Sequence, residues 1–474
     1  MLFSSTVFFC FFLPGALIGY YLFLRKSRTL QNIFLFVISI LFYGWGEPKY
    51  VLIILASIFM NWLFGICIDK CKNTDRTNIA KIILMVTVIY NVSILFVFKY
   101  LNFTVSVIDS IFDVGLRIQE IELPIGISFF TFQAMSYVID VYRNKGKVQK
   151  NLLNVGLYIA FFPQLIAGPI VRYETVSEEI LHRKETPEDF FAGFSRFIEG
   201  FCKKVLLANT MAKIADYAFN TVHNGGEVSV LTCWLGAVCY ALQIYYDFGG
   251  YSDMAIGLGR MFGFHFLENF NYPYISTSIT DFWRRWHISL GSWFRDYVYI
   301  PLGGSRVSKG RLVFNLLVVW LLTGIWHGAN WTFIIWGLMY FILLTVEKMT
   351  AIPKKQSKNR LYIWRIYTLF FVLLGWIVFR ADTIGDAVCY LQHMVGIRSE
   401  GFIDAVFMRY LSENVVFLIA AVLFSVPIVP LIRKKCSKKL LLDILYVIGL
   451  SLLFLIAFSG IVSNAYNPFI YFNF

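Results

Sequence analysis

Residues 312–346 read LVFNLLVVWLLTGIWHGANWTFIIWGLMYFILLTV and contain two apolar runs, 312–326 and 332–346, joined by a short polar turn. Each run approaches the roughly 20 residues that a helix needs to cross a hydrocarbon core of about 30 Å. His327 therefore lies at the end of a membrane span. Imidazole is the side chain best able to take and return a proton near neutral pH. The segment predicts a helical membrane protein and marks His327 as a candidate for chemistry.

The rest of the chain has a similar composition. Of its 474 residues, 58% are hydrophobic and 15% are charged, whereas soluble domains carry about 25% charged residues. The sequence therefore predicts an all-α polytopic membrane protein with about ten or more transmembrane helices. The clearest apolar stretches are 8–24, 30–45, 51–68, 79–98, 312–326, 332–346, 363–379, 415–432 and 440–461.

The basic residues fall in clusters on alternate connections, which the positive-inside rule assigns to the cytoplasm. The acidic stretch 109–122 and the C-terminal tail are then expected outside. The net charge of +13 reflects this topology, so no nucleic-acid partner is predicted. The eight cysteines are scattered, and Cys67 and Cys71 alone cannot form a zinc site, so no metal is predicted. The clusters lie at 70–81, 143–150, 306–311, 354–360 and 433–439.

No polar interval is long enough to bury an independent core, so 1–474 is predicted to be one membrane-embedded domain. Its parts are N-terminal peripheral helices (1–101), a catalytic core (122–349) and C-terminal helices with a tail (361–474). In the core, Pro163, Gly168, Pro169 and the pair Gly249–Gly250 are expected to break or kink helices. Lipid cannot satisfy the freed backbone groups. We therefore expect re-entrant and interfacial helices around a central tunnel.

A second histidine lies in DFWRRWHISLGSWFRDYVYIPLGG, residues 281–304. This stretch carries too many charges for a lipid-facing helix, so we expect it to lie along the cytoplasmic interface or to dip inward. On a helix, His287 would share a face with Trp283, Arg284 and Leu290.

Two interpretations of this stretch remain open. It is either an anchoring helix with an aromatic belt, or a basic, aromatic mouth that receives an anionic donor. In the second case Trp283, Arg284, Arg285 and Trp286 would bind the donor, because arginine suits phosphate groups. Asp281 can pair with Arg285 at i,i+4 in either case.

Further polar residues are weaker candidates. Asp247 and Asp253 flank Gly249–Gly250 and can orient a histidine or an arginine, but helix capping explains them nearly as well. Glu347, next to Lys348, is predicted to be an interfacial charge. The sequence lacks the P-loop, dinucleotide, HExxH and GxSxG motifs. Acyl transfer from a thioester remains, since it needs a base, an oxyanion donor and access for two substrates.

Five blocks closely resemble the membrane-bound O-acyltransferase family, and within it the bacterial branch that O-acetylates alginate and peptidoglycan, which is related to the teichoic acid D-alanyltransferase. They are ELPIGISFFTFQAMSYVIDVYR (122–143), AFFPQLIAGPIVRYE (160–174), QIYYDFGGYSDMAIGLGRMFGF (243–264), ENFNYPYISTSITDFWRRWHISLGSWFRDYVYIPLGG (268–304) and LTGIWHGANWTFIIWGL (322–338).

The resemblance implies a tunnel in which an acyl donor enters from the cytoplasm and an acceptor approaches from outside. His327 would be the catalytic base and His287 a second active-site residue. His287 or the Asn330 amide would stabilise the developing oxyanion. No permanently bound cofactor is implied; acetyl-CoA would be the donor substrate, and an SGNH-type partner outside the membrane would pass the acetyl group to a polysaccharide.

The tail FIYFNF, 469–474, has the FxYxxF form found at the end of the small peptide that accompanies the D-alanine transferase. The resemblance implies that Tyr471 is a transient acyl carrier; the alternative is an aromatic interface anchor. We therefore expect an O-acetyltransferase of the bacterial cytoplasmic membrane. The alternatives are D-alanyl transfer from a carrier protein to teichoic acid, a transporter or channel, and an inactive scaffold.

Overall fold

The computed structural model describes residues 1–115, 118–350, 361–435, 439–463 and 466–470. Throughout these ranges the regular structure is helical and contains no strand, which confirms the all-α prediction. The chain forms two compact units. The first comprises Met1–Phe197 and Ser252–Leu267, and the second comprises Ile198–Tyr251 and Glu268–Phe474. The three-part division along the chain and the central tunnel stay predictions.

The α-helices are numbered in chain order. The first ten are α1 Leu13–Ile18, α2 Arg28–Gly46, α3 Val51–Asn73, α4 Thr77–Leu95, α5 Leu101–Phe112, α6 Ile127–Tyr142, α7 Leu152–Ala160, α8 Phe162–Leu165, α9 Tyr173–His182 and α10 Pro187–Cys202. The remainder are α11 Asn209–His223, α12 Val230–Met261, α13 Ile279–Arg285, α14 Ile288–Phe294, α15 Lys309–His327, α16 Trp331–Thr350, α17 Leu361–Arg380, α18 Ile384–Met394, α19 Ala405–Phe424, α20 Ile428–Lys435 and α21 Lys439–Val462.

Eight helices in the described part of the chain are long and apolar enough to cross a membrane, and Phe8–Phe23 is a shorter apolar helix. They correspond to the nine apolar stretches marked in the sequence, which confirms a polytopic membrane protein. The eight are Arg28–Gly46, Pro48–Asn73, Thr77–Phe112, Lys309–His327, Trp331–Thr350, Leu361–Arg380, Ala405–Phe424 and Leu440–Val462.

The bounds predicted for the stretch 415–432 are wrong. Helix α19 begins ten residues earlier, where the Asp404 side chain caps its first turn. Near this start Arg409 and Glu413 pair with each other at 3.6 Å, so the helix accommodates both charges. It ends at Phe424, and Pro427 follows, which cannot continue an α-helix.

A buried arginine ties together the N-terminal part of the first unit. The Arg183 guanidinium donates to the Tyr20 hydroxyl at 2.9 Å and to the Asn32 amide oxygen at 2.7 Å. Arg28 forms an ion pair with Glu185, which also contacts the Tyr20 hydroxyl. Because a buried charge is costly without partners, this network supports the packing of the surrounding helices.

The predicted helix breaks are confirmed in one place and wrong in another. Phe161 separates α7 from α8 just before Pro163, as expected. Helix α12, in contrast, runs without interruption through Gly249–Gly250. A Cβ atom at Gly250 would lie 2.7 Å from the Gly200 carbonyl oxygen and 3.2 Å from the Lys204 amide nitrogen. This glycine therefore permits close packing of two backbones and does not bend the helix.

Helices α15 and α16 form an antiparallel hairpin in the second unit, and two glycines set their separation. A Cβ atom at Gly324 would lie 2.5 Å from the Phe333 carbonyl oxygen, and one at Gly337 would lie 2.5 Å from the Trp320 carbonyl oxygen. Small residues at such crossings let membrane helices approach to backbone contact. This close approach holds the end of α15, which carries His327, against α16.

Candidate active site

The two histidines marked in the sequence line one cavity of the second unit. The space between the lining side chains is about 320 Å³, which includes a part open to solvent. Apart from the two imidazoles and the indole N–H groups of three tryptophans, the lining side chains are apolar. The lining residues are Ile244, Phe248, Trp286, His287, His327, Trp336, Trp376, Phe379 and Ile470.

His327 is the last residue of α15 and is 8% exposed. Its ring lies edge-on to Trp336 at 5.0 Å and to Phe379 at 5.2 Å between centroids. A Cβ atom at the next residue, Gly328, would lie 2.1 Å from the Phe333 ring. The absence of a side chain after the histidine thus leaves the space that the Phe333 ring occupies, which packs the start of α16 against the end of α15.

The prediction that His287 lies within a helix is wrong. The stretch forms two short helices, α13 and α14, and His287 is the residue between them. Its φ of 45° is in the left-handed region, which a residue other than glycine rarely adopts. The Ile288 amide donates to the Asn269 carbonyl at 2.9 Å, which stabilises this turn from outside the segment.

Asn269 also orients the His287 ring. Its side-chain oxygen lies 3.2 Å from His287 Nδ1 and accepts hydrogen bonds from the Ser289 amide at 3.2 Å and hydroxyl at 2.9 Å. A backbone N–H can only donate, so the shared atom is the oxygen and Nδ1 carries the proton. Nε2 is then the acceptor of this ring.

Burial lowers the pKa of the His287 imidazole to about 3. The ring lies outside the eight candidate spans but is only 1% exposed, and an apolar site penalises its charged form. Phe248 packs edge-on against it at 4.7 Å between ring centroids. His287 is therefore a neutral imidazole in the folded protein.

Glu347 anchors the helix that precedes His287. We predicted an interfacial charge, but the residue is fully buried, and this prediction is wrong. Its carboxylate accepts hydrogen bonds from the Ile279 amide at 2.7 Å and from the Thr280 amide at 2.8 Å and hydroxyl at 2.6 Å. A carboxylate at the N-terminus of α13 pairs with unsatisfied amides and the positive end of the helix dipole.

The four predicted donor-binding residues occupy different environments. Trp286 is buried and lines the cavity, whereas Trp283 packs against Trp320 and Tyr340 outside it. Arg284 is exposed and Arg285 is half-buried. The geometry thus brings one of the four to the cavity wall.

The expected i,i+4 pair near these residues is present. Arg285 Nε lies 3.0 Å from Asp281 Oδ1. Arg285 also donates to the Asn271 carbonyl at 3.3 Å. Both contacts hold Arg285 against its own segment, so Arg284 is the better exposed of the two arginines for an anionic group.

Asn330 is not among the residues that line the cavity. Its amide nitrogen donates to the Asp382 carbonyl at 2.8 Å, and its oxygen accepts from the Thr332 amide at 3.1 Å. The side chain therefore joins the start of α16 to the segment after α17. A role for this amide at an oxyanion stays a prediction.

Several residues of the site were missed in the sequence. Ile470 lines the cavity, so the C-terminal tail reaches the two histidines, whereas Tyr471 lies outside the described residues. Trp336 is fully buried, and its indole N–H has no hydrogen-bond partner in the described ranges. Asn269 was also missed. Of these three residues, only Trp336 could have been recognised in the sequence, because it lies near the start of the apolar run that follows His327.

Known proteins of one membrane family match this chain. The sequence profile of the membrane-bound O-acyltransferase family, MBOAT, matches residues 147–381, which include both histidines. The probable alginate O-acetylase AlgI of Azotobacter vinelandii is 42% identical over 391 residues, covering 82% of this chain and 76% of that protein. The chain belongs to the membrane-bound O-acyltransferase family. It is an O-acyltransferase, and the cavity is its candidate active site.

Two other relatives of this O-acyltransferase are named for different activities. The peptidoglycan O-acetyltransferase of Helicobacter pylori is 30% identical and covers 100% of this chain and 98% of that protein. The teichoic acid D-alanyltransferase of Bacillus subtilis is 29% identical over 282 residues, covering 54% of this chain and 68% of that protein. The relatives thus share acyl transfer, while the acyl group and the acceptor differ.

Proposed function

We propose that this O-acyltransferase transfers acetyl groups from acetyl-CoA on the cytoplasmic side to an acceptor outside the membrane, for O-acetylation of a cell-surface polysaccharide. The observation that carries the proposal is the pair of imidazoles in one apolar cavity. The relatives named for alginate and peptidoglycan O-acetylation support acetyl as the acyl group. The bacterial cytoplasmic membrane is the corresponding location.

In the proposed reaction, His327 removes the proton from the acceptor hydroxyl as its oxygen attacks the thioester carbonyl carbon. A C–O bond forms, the C–S bond breaks, and the thiolate of CoA leaves and takes up the proton from His327. General base catalysis of this kind contributes about 10²–10⁴-fold. The apolar walls keep water from competing for the thioester.

The tautomer of His287 excludes this residue as an oxyanion donor. Its Nδ1–H is directed to Asn269, so Nε2 accepts a hydrogen bond and cannot donate one to an oxyanion. The acceptor hydroxyl has one proton, which goes to His327, so we assign His287 to the wall that shapes the acceptor side of the cavity. The buried indole N–H of Trp336 is the better oxyanion donor, because it lies in the cavity wall and lacks a partner in the described chain.

The direction of transfer is inferred from the charges at the ends of α15. Lys309 and Arg311 begin the helix, and His327 ends it. The positive-inside rule assigns the basic end to the cytoplasm and the histidine to the outer half. Arg284 is then suited to the phosphates of acetyl-CoA. An SGNH-type partner outside the membrane would pass the acetyl group to the polymer.

The test uses the purified protein in detergent with radiolabelled acetyl-CoA and a soluble acceptor alcohol. We expect His327→Ala to lower the transfer rate by about 10²–10⁴-fold while leaving the thermal unfolding temperature close to that of wild type. His182→Ala, at an exposed histidine that ends α9, is the matched control and should retain full activity. Equal activity of wild type and His327→Ala would refute the proposal.

D-alanyl transfer is a second candidate because of the Bacillus subtilis relative. In that case a carrier protein would deliver a D-alanyl thioester to the same cavity, and Tyr471 would carry the acyl group transiently. Supplying acetyl-CoA and a D-alanyl carrier protein in parallel distinguishes the two donors. Tyr471→Phe should abolish transfer if the tyrosine is an acyl carrier, and full activity would exclude that role.

A further inference from the structure

A buried ion pair joins two helical segments of the second unit close to the cavity. Lys204 Nζ lies 2.7 Å from Asp247 Oδ1, and the two side chains are 3% and 2% exposed. Lys204 belongs to the π-helical segment Lys203–Ala208, and Asp247 precedes Gly249–Gly250 on α12. Desolvation of the two charges offsets much of their Coulomb attraction, so a buried ion pair is weak evidence for a purely stabilising role.

Both charges of the pair bind the backbone of the C-terminal tail. The Lys204 ammonium donates to the Pro468 carbonyl, and Asp247 Oδ2 accepts from the Ile470 amide at 2.8 Å. The ammonium also donates to Asn209 Oδ1 at 2.9 Å. The cation thus holds a backbone acceptor and the anion holds a backbone donor two residues further along the chain.

The side chains of the tail complete the contact. Asn467 accepts from the Asn209 amide at 3.2 Å, and the Phe469 ring lies 5.0 Å from that of Tyr251. Ile470 is 3% exposed and lines the cavity with the two histidines. One wall of the cavity is therefore formed by a segment that the ion pair holds through its backbone.

We propose that Lys204 and Asp247 are a positioning pair, which docks residues 466–470 as a strap and thereby closes the cavity around the reacting groups. Because the pair binds backbone atoms, it fixes the register of the tail independently of the side chains at 468 and 470. The effect on catalysis rests on the proposed function, whereas the docking itself does not. Both residues bind the backbone of the tail directly, so we assign their effect on the site to the tail.

Docking is measured by the reaction of Ile470→Cys with a maleimide, in a background whose native cysteines are replaced. In the docked tail the thiol is protected. Lys204→Met and Asp247→Asn should each raise the labelling rate about tenfold or more, because the tail opens locally. Lys213→Met, an exposed lysine on α11, is the matched control and should leave the labelling rate unchanged.

A single variant leaves one buried charge unpaired and can unfold the protein, so a double variant separates docking from folding. Lys204→Met/Asp247→Leu replaces the pair by apolar side chains, a change that stability often tolerates. We expect this variant to keep the wild-type unfolding temperature and to expose Ile470→Cys. A thiol that stays as protected as in the paired protein would overturn the proposal.

Catalysis supplies the second measurement. The double variant should lower kcat for acetyl transfer about 10–100-fold with little change in KM for acetyl-CoA, because a wall of the site is misplaced. Joining Asn209→Cys to Asn467→Cys with a short bifunctional thiol reagent should restore the rate, since the tail is then tethered. No recovery in the tethered protein would mean that the pair does not act through the tail. If the labelling rate changes as expected but the wild-type protein transfers no acetyl group, the proposed function is refuted and the proposed docking of the tail stands.

Discussion

The glycine contact between α15 and α16 allows a quantitative test of the site. A Cβ atom at Gly324 would lie 2.5 Å from the Phe333 carbonyl oxygen, whereas ordinary van der Waals contact begins at 3.4 Å. The neighbour is backbone and cannot rotate away. In Gly324→Ala the two helices must therefore separate by roughly the difference between these distances, about 0.9 Å.

This separation displaces His327, which is three residues after Gly324 on α15. A displacement of about 1 Å at a catalytic group can cost about 10²-fold in rate. Overpacking by one methyl group costs about 1–3 kcal/mol of stability. We thus expect Gly324→Ala to fold with a lowered unfolding temperature and to transfer acetyl groups about 10–100-fold more slowly.

The assay compares transfer from radiolabelled acetyl-CoA with thermal unfolding in the same detergent. Gly337→Ala should behave like Gly324→Ala, because its Cβ would meet the Trp320 carbonyl oxygen at 2.5 Å. Gly310→Ala is the control, since no heavy atom lies within 4 Å of the added methyl group. If Gly324→Ala and Gly310→Ala transfer acetyl groups at the same rate, backbone contact between these helices does not position His327.

Three further results are expected. Glu347→Gln should lower stability by about 1.5–3 kcal/mol in denaturant unfolding, because the start of α13 loses charge-assisted hydrogen bonds; an unchanged midpoint would contradict this role. Trp336→Phe should keep the ring packing and lower the transfer rate about 10²–10³-fold, if the indole N–H stabilises an oxyanion; an unchanged rate would exclude that donor. His287, with a folded pKa of about 3, takes up a proton on unfolding below its ordinary pKa of about 6.5. The free energy of unfolding should therefore fall by no more than about 1.4 kcal/mol per pH unit as the pH decreases from about 6.5. Thermal unfolding measured from pH 7 to pH 4 should show that His287→Asn lacks this contribution.

The membrane spans could be predicted because their signal is local. A run of apolar residues identifies a spanning helix without knowledge of its neighbours. The bounds predicted at 415–432 are wrong because Arg409 and Glu413 lie inside α19, where they pair with each other. His327 was also predictable, because it directly ends such a run.

The geometry of the second histidine was not predictable, because distant residues determine it. The left-handed turn at His287 depends on Asn269, which lies 18 residues earlier in the chain. The start of α13 depends on Glu347, which lies 68 residues after Ile279. Neither contact can be recognised from hydrophobic periodicity, so the segment was predicted as one helix.

Gly249–Gly250 illustrates a second kind of error. Two adjacent glycines predict a break when only the backbone entropy of their own helix is considered. In the structure, the space left by the missing side chain of Gly250 admits the backbone at Gly200 and Lys204, and this packing offsets the lost helix propensity. The same gap allows Lys204 to reach Asp247. Gly250 is therefore part of the support of the site.

The distribution of polar groups explains how the walls of an apolar cavity are held in place. Polar side chains around the site bind the backbone of its walls: Glu347 at the start of α13, Asn269 at Ser289 beside His287, and Lys204 with Asp247 on the tail. These contacts fix the walls, so the lining itself needs few hydrogen bonds. A wall of this kind keeps the local dielectric low, which favours the neutral form of an imidazole. The contacts that fix the walls of the cavity therefore also keep the His287 imidazole neutral.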